Sequence, residues 1–318
     1  VSPYLQDAAA LCQAMRLQSA AAATTERWLI LTGPAALEPF SVERLDALRQ
    51  LGAAVVPVRY RTDRVGETYW PWLIDMRTAH DDGDALLTEA VGIALEDWSP
   101  AALAARRGHR IGGFLLSDAP LHAIADHLGA LAVQPYGGQG SGQRLLGIAD
   151  PAALEGIWRV CSERQRRQAL GPISRWRTLD RWGQWSDQQT SAATVPQHGF
   201  LHFDPPQWAQ LAHVRFINAA WAKAIADGHE VTPEQLAALP AALDRAVRHG
   251  VSDAQDLELF AWHALTVHPH FDLHPRIIAL FEQRKPDEFY SYMVCDLDEE
   301  DWQHLRAGPT VSLQRNAR

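Results

Sequence analysis

Cysteine is scarce in this sequence: Cys12, Cys161 and Cys295 are the only three, far apart and without a Cys-x-x-Cys spacing. An odd, scattered set supports neither a disulfide framework nor a zinc knuckle, and it fits a reducing compartment. Long apolar runs are missing too. Arg16 and Glu26 interrupt the alanine-rich opening before it reaches the roughly 20 residues that span a bilayer, and no basic-apolar-small leader pattern is present. A cytoplasmic protein without stable membrane insertion is expected. Positive charge is in deficit, since 29 Lys+Arg against 38 Asp+Glu leave −9. Such a chain repels a phosphate backbone overall, so no nucleic-acid partner is expected. Catalytic signatures are lacking as well. The loop Gly137-Gly138-Gln139-Gly140-Ser141-Gly142 is followed by a strand pattern and carries no Lys-Ser/Thr, so it is no phosphate cradle. No serine occupies a Gly-x-Ser-x-Gly elbow. Carboxylate runs such as Asp81-Asp82 with Asp84 have the character of solvated faces or helix N-terminal charge. No cofactor is implied, and no enzyme is expected.

What is present is a folded chain long enough for two lobes. It has 318 residues, 47% hydrophobic and 21% charged, and single cores stop growing at about 250 to 300 residues. Over residues 1–190, strand patterns (27–32, 53–58, 72–76, 111–116, 131–136, 145–149) interleave with helix patterns (4–23, 41–51, 84–95, 100–107, 120–129 and a helix after Asp150-Pro151). This predicts a mixed β-sheet flanked by helices. Residues 186–199 are polar and aperiodic and are expected to link the lobes. Residues 191–318 carry only helical periodicity: 205–226, 233–247 behind the capping box Thr232-Pro233-Glu234-Gln235, a helix capped by Ser252, then 275–281 and 287–294, with a loose tail after Trp302. The fold class is therefore α+β, with an α/β lobe over 1–190 and an all-helical lobe over 191–318.

Two groups of residues stand out chemically. Between Trp158 and Trp185 lie seven arginines, opposed only by Glu163 and Asp180. Arginine with tryptophan is the composition of protein interfaces. A basic helix followed by a hairpin with ordinary aromatic packing fits the same residues, and stacking on nucleic acid is a third use. The candidate partner-binding residues are Arg175, Trp176, Arg177, Trp182 and Trp185, with Trp208, Trp221 and Trp262 from the helical lobe. The second group is His263, His268, His270 and His274, a conceivable imidazole metal site and the basis of an alternative reading as a metal-dependent enzyme. No carboxylate joins these histidines at helical spacing, so structural roles in caps and loops are the expectation. The cluster Tyr69, Trp70 and Trp72 is expected to pack at a core and its rim.

The order of landmarks resembles the effector adaptor, or effector chaperone, family of the bacterial type VI secretion system. The resemblance runs through Trp28 to Gly33, Trp70-Pro71-Trp72-Leu73-Ile74, Phe114-Leu115-Leu116-Ser117 and His127-Leu128. It continues through Asp150-Pro151, Gly171-Pro172-Ile173 with Trp176, Gly183-Gln184-Trp185, Gly250-Val251-Ser252-Asp253 and Phe271-Asp272-Leu273-His274-Pro275. Where that family carries an arginine–aromatic pair before Asp-Pro, this chain has Gly147-Ile148-Ala149. The resemblance implies an α/β lobe followed by a helical lobe. It also implies a non-catalytic role: holding the N-terminal region of a toxic effector and loading it onto the VgrG spike.

Overall fold

A computed structural model describes residues 8–21, 26–77, 83–137, 142–189, 200–285 and 287–308. The chain divides into two compact units, Val1–Trp208 and Ala209–Arg318. The first contains α1 (Ala8–Ala21), β1 (Arg27–Pro34), α2 (Val42–Gln50), β2 (Val55–Pro57), β3 (Pro71–Asp75), α3 (Gly83–Asp97), α4 (Pro100–Ala104) and β4 (Ile111–Ser117). It continues with α5 (Leu121–Leu131), β5 (Val133–Tyr136), β6 (Gly142–Leu145), α6 (Pro151–Val160), α7 (Glu163–Leu170), β7 (Arg175–Leu179) and β8 (Trp185–Gln189). Then α8 (Pro205–Ala226) begins. The second unit continues α8 and adds α9 (Pro233–Arg248), α10 (Ala254–Thr266), α11 (Pro275–Gln283), α12 (Tyr290–Met293) and α13 (Glu299–Arg306). The α+β class with an antiparallel sheet in one lobe and helices in the other is thus observed.

The sheet is not mixed as expected. Its six strands run in the order β2-β3-β1-β4-β7-β8, and every neighbouring pair is antiparallel. The reason lies in strand order. Helices α3 and α4 do carry the chain from β3 to a parallel β4, but β1 lies between them and opposes both. The same holds for β1 and β2, which are separated by β3. The interleaving of strands with helices led to the expectation of a mixed sheet, while adjacency was not legible.

Alternation along the strands makes two cores. Trp28, Ile30, Ile74, Phe114 and Leu116 face α1 and α3, where they meet Leu11, Met15, Leu86 and Val91. Leu29, Leu31, Leu115 and Trp176 point to the opposite side, which α5 and α6 cover. The helix starts follow their caps: Ser41 for α2, Ser99 ahead of Pro100 for α4, and Asp150 ahead of Pro151 for α6. Ser117 ends β4, and its hydroxyl donates to the Pro172 carbonyl at 2.6 Å. β5 and β6 pair antiparallel, although β6 covers 142–145 instead of the expected 145–149 and the apolar run 146–149 turns away from it. The turn residues Gly138 to Ser141 lie outside the described residues.

The expected linker needs a similar correction. Residues 186–189 belong to β8, residues 190–199 lie outside the described residues, and the first unit extends to Trp208. Two buried glutamines account for that extension. The side-chain oxygen of Gln134 accepts the Leu201 N–H at 2.7 Å, and the amide of Gln165 donates to the Leu201 carbonyl at 2.8 Å. In the helical unit, Asp253 rather than Ser252 caps α10, the helix expected over 287–294 shrinks to α12, and α13 continues past Trp302.

Candidate functional site

The arginine–tryptophan hairpin forms, but its centre faces inward. Trp176 is 1% exposed and stands edge-on to Trp158 of α6, with ring centroids 5.7 Å apart. Arg177 is 2% exposed on the other face, where its Nε donates to Asp187 at 2.7 Å and its guanidinium lies over the Trp28 and Trp185 rings. Register explains the pairing, since Arg177 and Asp187 are direct cross-strand neighbours. Trp185 is half-buried against Phe114, and its indole N–H reaches the Leu11 carbonyl. Arg175 pairs with Gln189 at the sheet edge, and Trp182 sits half-buried in a turn tied by Asp180. Trp208 is half-buried between Tyr136 and Phe203. In the second unit Trp221 is 2% exposed, and Trp262 is half-buried under the Lys223 ammonium. Trp176, Arg177 and Trp221 therefore offer no free surface to a partner. Their residue types were informative about packing, because alternation put the largest side chains on the covered faces.

The four histidines do not converge. Among the described residues no three His, Cys, Asp or Glu side chains are placed to hold a metal ion. His263 is 5% exposed, and its Nδ1 lies 2.7 Å from the Tyr290 hydroxyl. Burial lowers its pKa to about 3, so the ring is neutral. His274 caps α11 by accepting the Arg276 N–H, and His268 accepts the backbone N–H of His270.

The first unit holds a recess of about 400 Å³ that the sequence had not singled out. Its walls are apolar, with Leu37, Val65, Leu146 and Ala149 among them. Tyr69 (58% exposed) and Leu145 (49% exposed) stand at its mouth, and Arg64 also lines it. Tyr60, 8% exposed, is pushed up to a pKa of about 12 by burial and remains a neutral phenol. The floor is His109 beside Asp150, with Nδ1 3.1 Å from Oδ1.

Close backbone approaches build this floor. Gly33 at the end of β1 donates to the Arg110 carbonyl at 2.7 Å, and a Cβ there would lie 2.1 Å from the His109 carbonyl oxygen. A Cβ on Gly112 would lie 2.8 Å from Ala149. Only glycine lets these segments meet. Trp98 packs on the imidazole with centroids 4.2 Å apart. Asp150 is held from below, because the same Oδ1 accepts the Ala152 and Ala153 N–H groups at the start of α6. Desolvation raises its pKa, but His109 and those amides outweigh it and keep the carboxyl below its usual value. The His109 side chain is 10% exposed, and both Nδ1 and Nε2 are buried with no hydrogen-bond partner among the described residues, so the 3.1 Å approach to Asp150 is proximity without hydrogen-bond geometry.

A buried imidazole beside a carboxylate becomes half of a nucleophile-activating arrangement only when the carboxylate accepts its N–H, which Asp150 does not do for His109 here. A nucleophile is not at hand either, because among the described residues no serine, threonine, cysteine or lysine lines the recess. What the recess can do is bury an apolar group. The departure from the resembled pattern falls here, since Gly147 and Ala149 both line it. Of the aromatic cluster Tyr69, Trp70 and Trp72, expected to pack at a core and its rim, Tyr69 is instead 58% exposed and lines the recess.

Comparison with known proteins adds no relative: no family model matches the chain, and neither a curated protein nor a solved structure matches it. Among the described residues no helix is long and apolar enough to cross a membrane.

Proposed function

We propose that this chain is a cytoplasmic, non-catalytic adaptor that holds the N-terminal segment of a type VI secretion effector and loads it onto the VgrG spike. The observation that carries the reading is the recess, an apolar concavity with Tyr69 and Leu145 standing half in water at its mouth. Exposed bulky side chains around a concavity mark a surface that gains by being covered. The effector and the spike come from the sequence resemblance, and the recess supplies a means of gripping the effector segment. A metal-dependent enzyme built on His263, His268, His270 and His274 finds no support in the geometry of the described residues, since the His263 side chain serves as a core partner, that of His268 as a loop tie and that of His274 as a helix cap.

Co-expression with the protein encoded beside it tests the reading. A stoichiometric complex in size-exclusion chromatography with light scattering, with the neighbour insoluble alone, is the expected result. A neighbour that is soluble alone and elutes separately overturns it.

A further inference from the structure

One polar side chain of the recess is left without a partner. His109 lines it at 10% side-chain exposure, and neither buried ring nitrogen makes a hydrogen bond among the described residues. A buried polar group left unpaired is costly, and a ligand that supplies the missing partner removes that cost. The neighbouring charge decides which partner is missing. Asp150, whose carboxyl titrates below its usual value, is an anion at neutral pH. Even without hydrogen-bond geometry, an anion 3.1 Å from Nδ1 repels a lone pair there, so the ring proton is favoured on Nδ1 and Nε2 is left as an acceptor. The missing partner is therefore an O–H or N–H donor.

The walls narrow the class further. At about 400 Å³ the recess has room for a bicyclic ring, and a hydroxymethyl group such as that of serine would leave most of it empty. A carboxylate would face Asp150, and an ammonium would lose its water against apolar walls that also carry Arg64. An aliphatic group would fill the space and leave Nε2 unpaired. Tyr60, Tyr69 and Arg64 line the same recess, and phenol rings and a guanidinium all favour contact with an aromatic ring.

We propose that the recess is an anchor pocket for one tryptophan or tyrosine side chain of a partner protein. The ring lies among Tyr60, Tyr69 and Arg64. Its N–H or O–H donates to Nε2 of His109 after a small turn of the imidazole about its Cβ–Cγ bond, a torsion with broad wells. That the partner is an effector rests on the adaptor reading; the choice of side chain rests on the recess alone.

The test uses the full chain and short acetylated peptides of glycine and serine with one central residue: tryptophan, tyrosine, N1-methyltryptophan, phenylalanine or leucine. Titrations followed by saturation-transfer NMR read the affinities, with free indole as a further ligand. The tryptophan and tyrosine peptides are expected to bind. The N1-methyltryptophan peptide keeps the ring without the donor and should bind about five- to tenfold more weakly than the tryptophan one, as should phenylalanine relative to tyrosine. His109→Phe should bring the tryptophan and N1-methyltryptophan peptides to equal affinity, and Tyr69→Ser, at an exposed position, should weaken both. Thermal melts verify the fold of each variant. If His109→Phe does not fold, the donor comparison on the wild-type chain decides by itself. Equal wild-type binding of the tryptophan and N1-methyltryptophan peptides, a leucine peptide that binds as tightly as tryptophan, indifference to Tyr69→Ser, or binding of none of the peptides overturns the proposal. So does tighter binding of free indole than of the tryptophan peptide, which would make the occupant a small molecule. The two readings fail separately. A neighbour that co-elutes equally with the wild type and Tyr69→Ser leaves the adaptor standing and removes the anchor pocket. Selective binding of the tryptophan peptide without a co-eluting neighbour does the reverse.

Discussion

Single residues set the energetics of both lobes, and two of them give sharp expectations. Trp176 fills the sheet face under α6 at 1% exposure. Trp176→Ala is therefore expected to cost about 3–5 kcal/mol in denaturant unfolding, with any loss of binding following from lost folding. His263 is held neutral, with its pKa lowered from 6.5 to about 3. The unfolded chain takes up a proton on His263 as pH falls through 6.5, whereas the folded one resists until near 3, so acidification destabilises the fold across that window. The slope from this group reaches about 1.4 kcal/mol per pH unit. His263→Phe should flatten that slope while lowering stability at neutral pH, by leaving the Tyr290 hydroxyl unpaired, a loss of about 1–3 kcal/mol. Melts of both proteins at several pH values between 3.5 and 7.5 check this, and parallel curves would rule it out.

At the scale of elements, the residues that carry the sequence resemblance turn out to be joints of the fold. Asp150 caps α6, and Gly171 takes φ +52 in the turn beside His127. The carbonyl of Pro172 receives the Ser117 hydroxyl. Phe271 is fully buried, His274 caps α11, and Asp272 forms a two-pronged pair with Arg245 of α9 at 2.6 and 2.8 Å. Arg245 also ties the Pro269 carbonyl, which fastens the loop between α10 and α11 to α9. Arg245→Met would strand the buried Asp272 carboxylate and is expected to destabilise by about 3–5 kcal/mol in chemical unfolding, whereas the double change with Asp272→Leu should recover most of it. Such joints were legible because caps, glycine turns and proline starts are written in local sequence. Adjacency in the sheet was not, because β1 inserts between β3 and β4 through contacts that no local pattern encodes. The recess was illegible for a related reason. His109, Gly112 and Ala149 meet only through close backbone approach, so a Gly33→Ala change should disturb the recess floor and lower stability by about 1–3 kcal/mol, read by thermal melts.

For the whole molecule, the sequence predicted two lobes, and the antiparallel sheet unit and the helical unit are both present. Burial removes Trp176 and Arg177 as partner-binding residues, and the proposed adaptor reading turns instead to the mouth formed by Tyr69 and Leu145. That shift is physical: arginine and tryptophan strengthen a covered sheet face as readily as an interface, and only burial separates the two uses. If the protein is an adaptor that grips its partner through the recess, Tyr69→Ser with Leu145→Ser should abolish co-elution of the neighbouring protein while changing stability by no more than about 0.5 kcal/mol. The most direct measurement is hydrogen–deuterium exchange on the chain alone and in complex with that neighbour. The account predicts slowed exchange in the backbone of 142–149 and 60–69 on binding, with the β7–β8 hairpin unchanged; slowed exchange elsewhere while those two segments stay as they were would contradict it.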